Sequence, residues 1–576
     1  MMKNIPVCRM LSWFCCCVLL AGFSQSSIAD SSPGRRTAAA IASAHPLASE
    51  AGMRILANGG NAFDAAVTVS AVLAVVEPYS SGIGGGGFWL LHRQSDDFQV
   101  MIDGRERAPL AATENLYLDK QGNVIPRLSM DGALAAGIPG EPAALDHIAR
   151  KYGRLPLSTL LAPAIQLASE GFETNAYYAR MAGFRQSVLE KYTASSVFLD
   201  GKTVPKPGYN IVQTALAETL QQLADHGRDG FYKGDVAKNL VAGVKKAGGI
   251  WTEKDLAEYR VIERQPIKFT YGEQTIVTAS PPSSGGIALA TMLNILSGAE
   301  LDHLNQTERV HLMVESMRRA YRDRAEYLGD PDFVDIPSDL LTDEKYAAGL
   351  RASIRMDRAT ASSSLPGRVT VKEGFHTTHF SILDAEGNRV AATLSINYPF
   401  GSGFVVPGTG VLLNDEMDDF SARPGVPNAY GLVGGKANSI EPGKRPLSSM
   451  TPTFVEGPNG MAIIGTPGGS RIITMLLQGI LKAQSDTNPE SWVKVPRIHH
   501  QYLPDVIQYE ADALSTELIE LLESMGHQLR QVDNYGNMQA IYQDRVSGSV
   551  RAASDPRGFG LAIVQSITVG NAHNKK

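Results

Sequence analysis

The sequence predicts an α+β protein in which helices and antiparallel strands are both extensive. Three observations carry this reading. From Ala62 to Val76 the chain is so rich in Ala and Val that a fully buried helix is expected. From about Ala133 to Tyr259 it reads as mainly helical, with Pro and Gly at the boundaries and amphipathic spacing in Pro156 to Glu170 and Val212 to His226. The stretch from His376 to Asn397 instead alternates polar and apolar residues on both sides of Asp384-Ala385-Glu386-Gly387-Asn388, which predicts a β-hairpin.

Taken in order, the chain of 576 residues begins with Lys3 and Arg9, an apolar run from Met10 to Phe23, and Ser27-Ile28-Ala29. A short positive region, a short apolar core and a small-x-small site predict a signal peptide over residues 1–29, cleaved after Ala29. The run is short for a membrane span, so no stable span is expected after cleavage. All four cysteines, Cys8, Cys15, Cys16 and Cys17, fall inside it. The mature protein therefore has no disulfide, thiolate metal site or cysteine nucleophile, which suits an exported enzyme, with a periplasmic location expected.

Ala38 to Ala57 reads as helical up to Asn58-Gly59-Gly60-Asn61, and the next helix ends at Pro78. Gly82 to Gly87 formally contains G-x-G-x-x-G. A dinucleotide site needs a strand before it and a helix after it; here a helix precedes and a strand, Phe88 to Leu91, follows. Close backbone approach is the reading that remains. Phe98 to Ile102 reads as a strand leading into Asp103-Gly104-Arg105-Glu106. By local pattern Arg105 is solvated, although a guanidinium there can grip a carboxylate with two hydrogen bonds.

Pro266 to Ser280 reads as strands, Ile287 to Leu296 as a helix, and Glu308 to Leu328 as a charged amphipathic helix. Asp330, Asp332 and Asp335 lack calcium-loop spacing and read as surface carboxylates. Arg351 to Lys372 has no periodicity and reads as exposed, leading directly into His376-Thr377. Within the hairpin, period-2 alternation puts Thr377, His379 and Ser381 on one face of the first strand, and Thr393, Ser395 and Asn397 on one face of the second. An ordinary hairpin would expose that polar set, whereas a catalytic one would bury it.

Beyond the hairpin, Asn414 to Phe420 is dense in carboxylates, and a long Pro- and Gly-rich loop carrying Tyr430 runs to about Lys444. Paired hydroxyls follow at Ser448 and Ser449. Met461 to Ile464 reads as a strand, Gly465 to Ser470 as a glycine turn, and Arg471 to Lys482 as a helix, so the backbone amides of the turn form a candidate oxyanion site. His499 and His500 are adjacent and would face opposite ways in a strand, and no metal spacing is found. The net charge of -6 comes from interspersed charges without a Lys/Arg stripe, which excludes nucleic acid as a partner.

The chain lacks a G-x-S-x-G elbow. A threonine hydroxyl is a weak nucleophile without an adjacent base, but an N-terminal threonine carries one in its own α-amine, whose ordinary pKa is about 7.7 to 8.0. Thr377 gains that amine only if the His376-Thr377 bond is cut.

Nine stretches together carry a family resemblance: NGGNAFDAAV, SSGIGGGGF, DGRERAP, TTHFS, LLNDEMDDFS, PGVPNAYGLVGG, KRPLSSMTPT, GTPGGSRI and PRIHHQ. On these the chain resembles the γ-glutamyltranspeptidases (glutathione hydrolases) of the N-terminal-nucleophile hydrolase superfamily. The resemblance implies a precursor that cuts itself at His376-Thr377 into a large subunit, 30–376, and a small catalytic subunit, 377–576, which jointly form a four-layer αββα sandwich.

By the same resemblance Thr377 is the nucleophile, Ser395 hydrogen-bonds it, and Gly468 and Gly469 supply oxyanion-hole amides. Arg105, with Ser448 and Ser449, holds the substrate α-carboxylate. Asn397, Glu416 and Asp419 receive the α-ammonium, and Tyr430 belongs to a lid loop. His379 shares the face of Thr377 but reads as structural. The implied substrates are glutathione and other γ-glutamyl compounds, with water, amino acids or dipeptides as acceptors, and no cofactor or metal. The alternatives are a glutaryl or cephalosporin acylase on the same fold and an uncleaved exported binding protein.

Overall fold

The computed structural model describes residues 36–365 and 377–568. The expected signal peptide with its cysteines, residues 366–372 of the Arg351–Lys372 segment, and His376 lie outside the described residues.

Two antiparallel sheets pack face to face. From edge to edge, the first runs Leu561–Thr568, Arg36–Ser43, Thr378–Leu383, Arg389–Ser395, Gly86–Arg93, Phe98–Gly104 and Ile262–Arg264. The second runs Val550–Ser554, Gln539–Asp544, Gly460–Gly465, Thr453–Glu456, Gln274–Thr278 and Ile267–Tyr271. Alternation divides the first sheet between two cores. Ile41, Trp89, Ile382 and Leu394 face helices Pro46–Ala57 and Ala62–Val76. Ala40, Phe88, Leu90 and Ala391 face the second sheet, whose far side is covered by helices Gly285–Ser297 and Ile472–Ser485. The result is the four-layer αββα sandwich of the N-terminal-nucleophile hydrolases.

Helix Ala62–Val76 starts in a reciprocal cap. Asn61 Oδ1 accepts from the Phe63 and Asp64 amides at 3.0 and 2.9 Å, and Asp64 Oδ2 accepts from the Asn61 amide at 2.9 Å. All its residues are buried, as its composition predicts. Ala38 to Ser43 is a strand rather than the start of a helix, because it pairs on both sides, with Leu561–Thr568 and Thr378–Leu383. Alanine's helix preference is a few tenths of a kcal/mol per residue over most others, too little against two ladders of hydrogen bonds.

The glycine run is explained by close approach. A Cβ on Gly84 would lie 2.0 Å from Leu412 O, one on Gly85 2.1 Å from Ser395 O, and one on Gly86 2.3 Å from Gly104 O. Strand Gly86–Arg93 can therefore sit between Arg389–Ser395 and Phe98–Gly104 only without side chains at its start. This wedges the hairpin into the middle of the sheet, with Thr377 immediately before its first paired residue.

Candidate active site

Thr377 is buried at the edge of the hairpin, and the Gly468 amide donates to its Oγ1 at 3.0 Å. Gly468 leaves strand Gly460–Gly465 of the other sheet and enters the 3₁₀ turn Gly469–Arg471, so the two sheets deliver the hydroxyl and the amide to one point. Both glycines of the turn are required by shape. Gly468 has φ 143° and Gly469 φ 55°, and a Cβ on Gly469 would lie 2.5 Å from the Tyr430 ring.

The polar face of the hairpin is buried throughout. Ser395 Oγ accepts from the Asn397 amide at 2.7 Å, which leaves its O–H free to donate. Asn397 holds a left-handed φ of 71° and its Nδ2 donates to Asp415 O at 3.0 Å, local strain of the sort that clusters at functional sites. His379 hydrogen-bonds Thr393 Oγ1 through Nδ1 at 2.8 Å. Burial pushes it down to about 3, so it is a neutral structural residue.

Sequence reading missed Glu77, which lies just past helix Ala62–Val76. Thr378 Oγ1 donates to Glu77 Oε2 at 2.7 Å and the Tyr79 hydroxyl donates to Oε1 at 3.2 Å, anchoring the residue after Thr377. Burial pushes Glu77 up to about 7 from 4.5 despite both bonds. The folded state thus keeps a proton that the unfolded chain loses between these values, so this group's contribution to stability falls as pH rises from 4.5 to 7. Glu77→Gln, which retains an acceptor for Thr378, is expected to melt above the parent at pH 8, with the difference closing near pH 4.5. Melting curves at both pH values check this, and a pH-independent difference would exclude the buried acid as its source.

Arg105 is fully buried, opposite to its local-pattern reading, because its charge is met on several sides. It pairs with Glu416 through one terminal nitrogen and with Asp419 Oδ2 at 2.5 Å through the other, while its Nε donates to Pro446 O at 3.1 Å. Glu106 lies 3.5 Å away. Desolvation alone would lower the guanidinium's pKa, but these three carboxylates raise it. Burial pushes Glu416 up to about 7 and raises Asp419, with Arg105 opposing both. Glu416 Oε2 has no hydrogen-bond partner among the described residues. Asn414 sets the turn: its Oδ1 accepts from the Glu416 amide and its Nδ2 donates to Gly84 O and Gly137 O.

Thr377, Ser395, Asn397, Glu416, Asp419, Tyr430, Ser448, Ser449 and Gly469 line one inner cavity. The chain thus brings together residues spread from Thr377 to Gly469, and Arg105 reaches the cavity's carboxylates from far earlier in the sequence. Tyr430 closes its roof by donating from its hydroxyl to Asn397 O at 2.7 Å. Ser449 Oγ accepts from Arg324, a second buried cation absent from the sequence reading, at 3.3 Å. The cavity holds about 20 Å³ of free space, room for about one water.

One further expectation changes. Asp330 is buried rather than at the surface, accepting from the Arg445 amide at 2.8 Å, whereas Asp332 and Asp335 are exposed. His311, Glu315 and His527 place possible ligand atoms within 4.8 Å of one another. These groups are already committed: His311 bonds His527 at 2.8 Å and Arg355 O at 2.9 Å, and Glu315 pairs with Arg318 and Arg319. His499 and His500 take separate partners, Thr474 with Gln501 for one and Asp505 for the other.

The model of the gamma-glutamyltranspeptidase family matches residues 48–564. The chain belongs to the gamma-glutamyltranspeptidase family. Within this family it is similar to a glutathione hydrolase proenzyme of Pseudomonas sp. (strain A14), 44% identical over 91% of this chain and 93% of that one. A glutathione hydrolase proenzyme of Escherichia coli (strain K12) is 40% identical over 93% of each chain. Among solved structures, cephalosporin acylase from Bacillus halodurans superposes with a TM-score of 0.81 at 27% identity, covering 95% of this chain and 99% of that one. Family membership fits the cavity found here, in which one cation and two carboxylates stand beside a threonine hydroxyl.

Proposed function

We propose that the protein is a γ-glutamyltransferase and glutathione hydrolase, made as a precursor that cuts itself at His376-Thr377 into chains 30–376 and 377–576. The observation that carries this reading is the 3.0 Å contact of the Gly468 amide with Thr377 Oγ1 beside the Arg105–Glu416–Asp419 cluster. In self-cleavage, Thr377 Oγ1 attacks the His376 carbonyl carbon, the peptide C–N bond breaks as an ester forms, and water hydrolyses the ester. This frees the α-amine of Thr377.

In turnover the same oxygen attacks a γ-glutamyl amide. The α-amine accepts the hydroxyl proton and passes it to the leaving amine, while the Gly468 and Gly469 amides stabilise the oxyanion. A γ-glutamyl-Thr377 ester remains. Water then yields glutamate, and an amino acid or dipeptide yields a new γ-glutamyl product. Arg105 with Ser448 and Ser449 binds the α-carboxylate, and Asn397, Glu416 and Asp419 bind the α-ammonium, each pairing strengthened by burial.

A related acylase on this fold is the second reading, favoured by the superposition on cephalosporin acylase. A glutaryl group has no α-ammonium, so it would leave Asp419 and Glu416 buried without a cation, which is costly. Turnover of γ-glutamyl over glutaryl anilide is therefore expected, and glutaryl preference would overturn the assignment. Intact mass and N-terminal sequencing of the purified protein should give two chains, the smaller beginning at Thr377. A single full-length chain would argue for a binding protein. Among the described residues no helix is long and apolar enough to cross a membrane, and export to the periplasm is proposed from residues 1–29.

A further inference from the structure

Thr377 lines two spaces. Besides the inner cavity, it and Gly468 lie in an outer cleft of about 710 Å³, walled by helix Ala176–Lys191 and by the loop through Asp533. If the proposed function holds, the glutamyl head group fills the inner cavity and its carbonyl carbon stands at Thr377 Oγ1. Whatever is attached to the amide nitrogen must then leave on the cleft side. The amine that later attacks the ester must arrive from the same side.

Three guanidinium groups border this cleft. Arg557 is committed to Glu510 at 2.7 Å and Asp555 at 3.1 Å. Arg471 donates to Gln508 at 2.8 Å and stacks on the Tyr535 ring at 4.3 Å. Arg180 is different: it is exposed, lies over the Tyr177 ring at 4.7 Å, and makes no ion pair among the described residues. The Tyr177 side chain holds the guanidinium both over its ring and by a hydrogen bond, a neutral partner that leaves the positive charge without a carboxylate among the described residues. Beside it Phe184 is 59% exposed, with its ring 5.8 Å from that of Tyr398. A large exposed ring next to a cation that has no carboxylate partner among the described residues suits a small peptide that carries a carboxylate.

We infer that Arg180 binds the carboxylate of the peptide or amino acid that leaves Thr377 or attacks its ester, making this cleft the leaving-group and acceptor subsite. Thr377 and Arg180 line the same cleft, and an extended dipeptide, about 7 Å long, presents an amine at one end and a carboxylate at the other. Arg180 thereby selects acceptors with a free carboxylate, and the inner cavity selects the donor independently.

The test compares glutathione, whose leaving group carries a carboxylate, with γ-glutamyl-p-nitroanilide, whose leaving group carries none, using the processed protein. Arg180→Ala is expected to lower kcat/KM for glutathione about tenfold, as for loss of a charge-assisted hydrogen bond, and to leave the anilide unchanged. Arg180→Lys should recover part of the loss. With glycylglycine and its C-terminal amide as acceptors, only the free acid should lose efficiency. Equal losses on both donors, or none on either, would overturn the role of Arg180. Failure of the parent protein to turn over either donor would instead overturn the proposed function, and this inference with it.

Discussion

Thr377→Ala is expected to yield one uncut chain with no γ-glutamyl amidase activity. In the proposed function the hydroxyl attacks in both reactions, and without the cut no α-amine exists to serve as its base. Folding should survive, because hairpin pairing starts at Thr378 and the lost contact is a single hydrogen bond from Gly468, whose net worth is about 1 kcal/mol. Thr377→Ser should cut and turn over more slowly, since it keeps the nucleophile but loses the methyl that restricts χ1. Intact mass and release of p-nitroaniline from γ-glutamyl-p-nitroanilide measure both steps. A split at the same bond in the alanine variant would refute self-cleavage by this hydroxyl.

What could be read from sequence differed by residue according to the range of the forces involved. The hairpin was legible because its period-2 alternation and turn residues are local, and the observed strands Thr378–Leu383 and Arg389–Ser395 fall inside the predicted stretch. Ala38 to Ser43 was misread because its ladder partners include strand Leu561–Thr568, at the far end of the chain, and no local window contains them. Arg105 and Asp330 looked solvated for the same reason: their partners, Glu416, Asp419 and the Arg445 amide, are remote in sequence. The long charged helix, Gln306–Tyr327, buries Glu315, Arg318 and Arg319 in mutual pairs that amphipathic spacing could not reveal. Family motifs supplied Arg105 where local pattern failed. They did not supply Glu77 or Arg180, which emerged only when the fold placed one against Thr378 and the other at the outer cleft.

The second large effect is expected at Arg105. Removing it outright would leave Glu416, Asp419 and Glu106 buried without their cation, a loss of roughly 3–5 kcal/mol that confuses folding with binding. Arg105→Lys is the cleaner variant: it retains the charge but loses the planar fork that reaches Glu416 and Asp419 through separate nitrogens. The same fork would grip a substrate carboxylate once those two side chains turn to the ammonium. Losing one charge-assisted hydrogen bond, about 1.5–3 kcal/mol, should raise KM for a γ-glutamyl donor by about 10- to 150-fold. Self-cleavage should persist, because its acyl group is the chain itself and needs no head-group pocket. Chain masses, a melting curve and donor kinetics on one preparation separate the outcomes. Normal cleavage with an unchanged KM would remove Arg105 from carboxylate recognition, whereas lost cleavage would make the cluster a requirement for building the site.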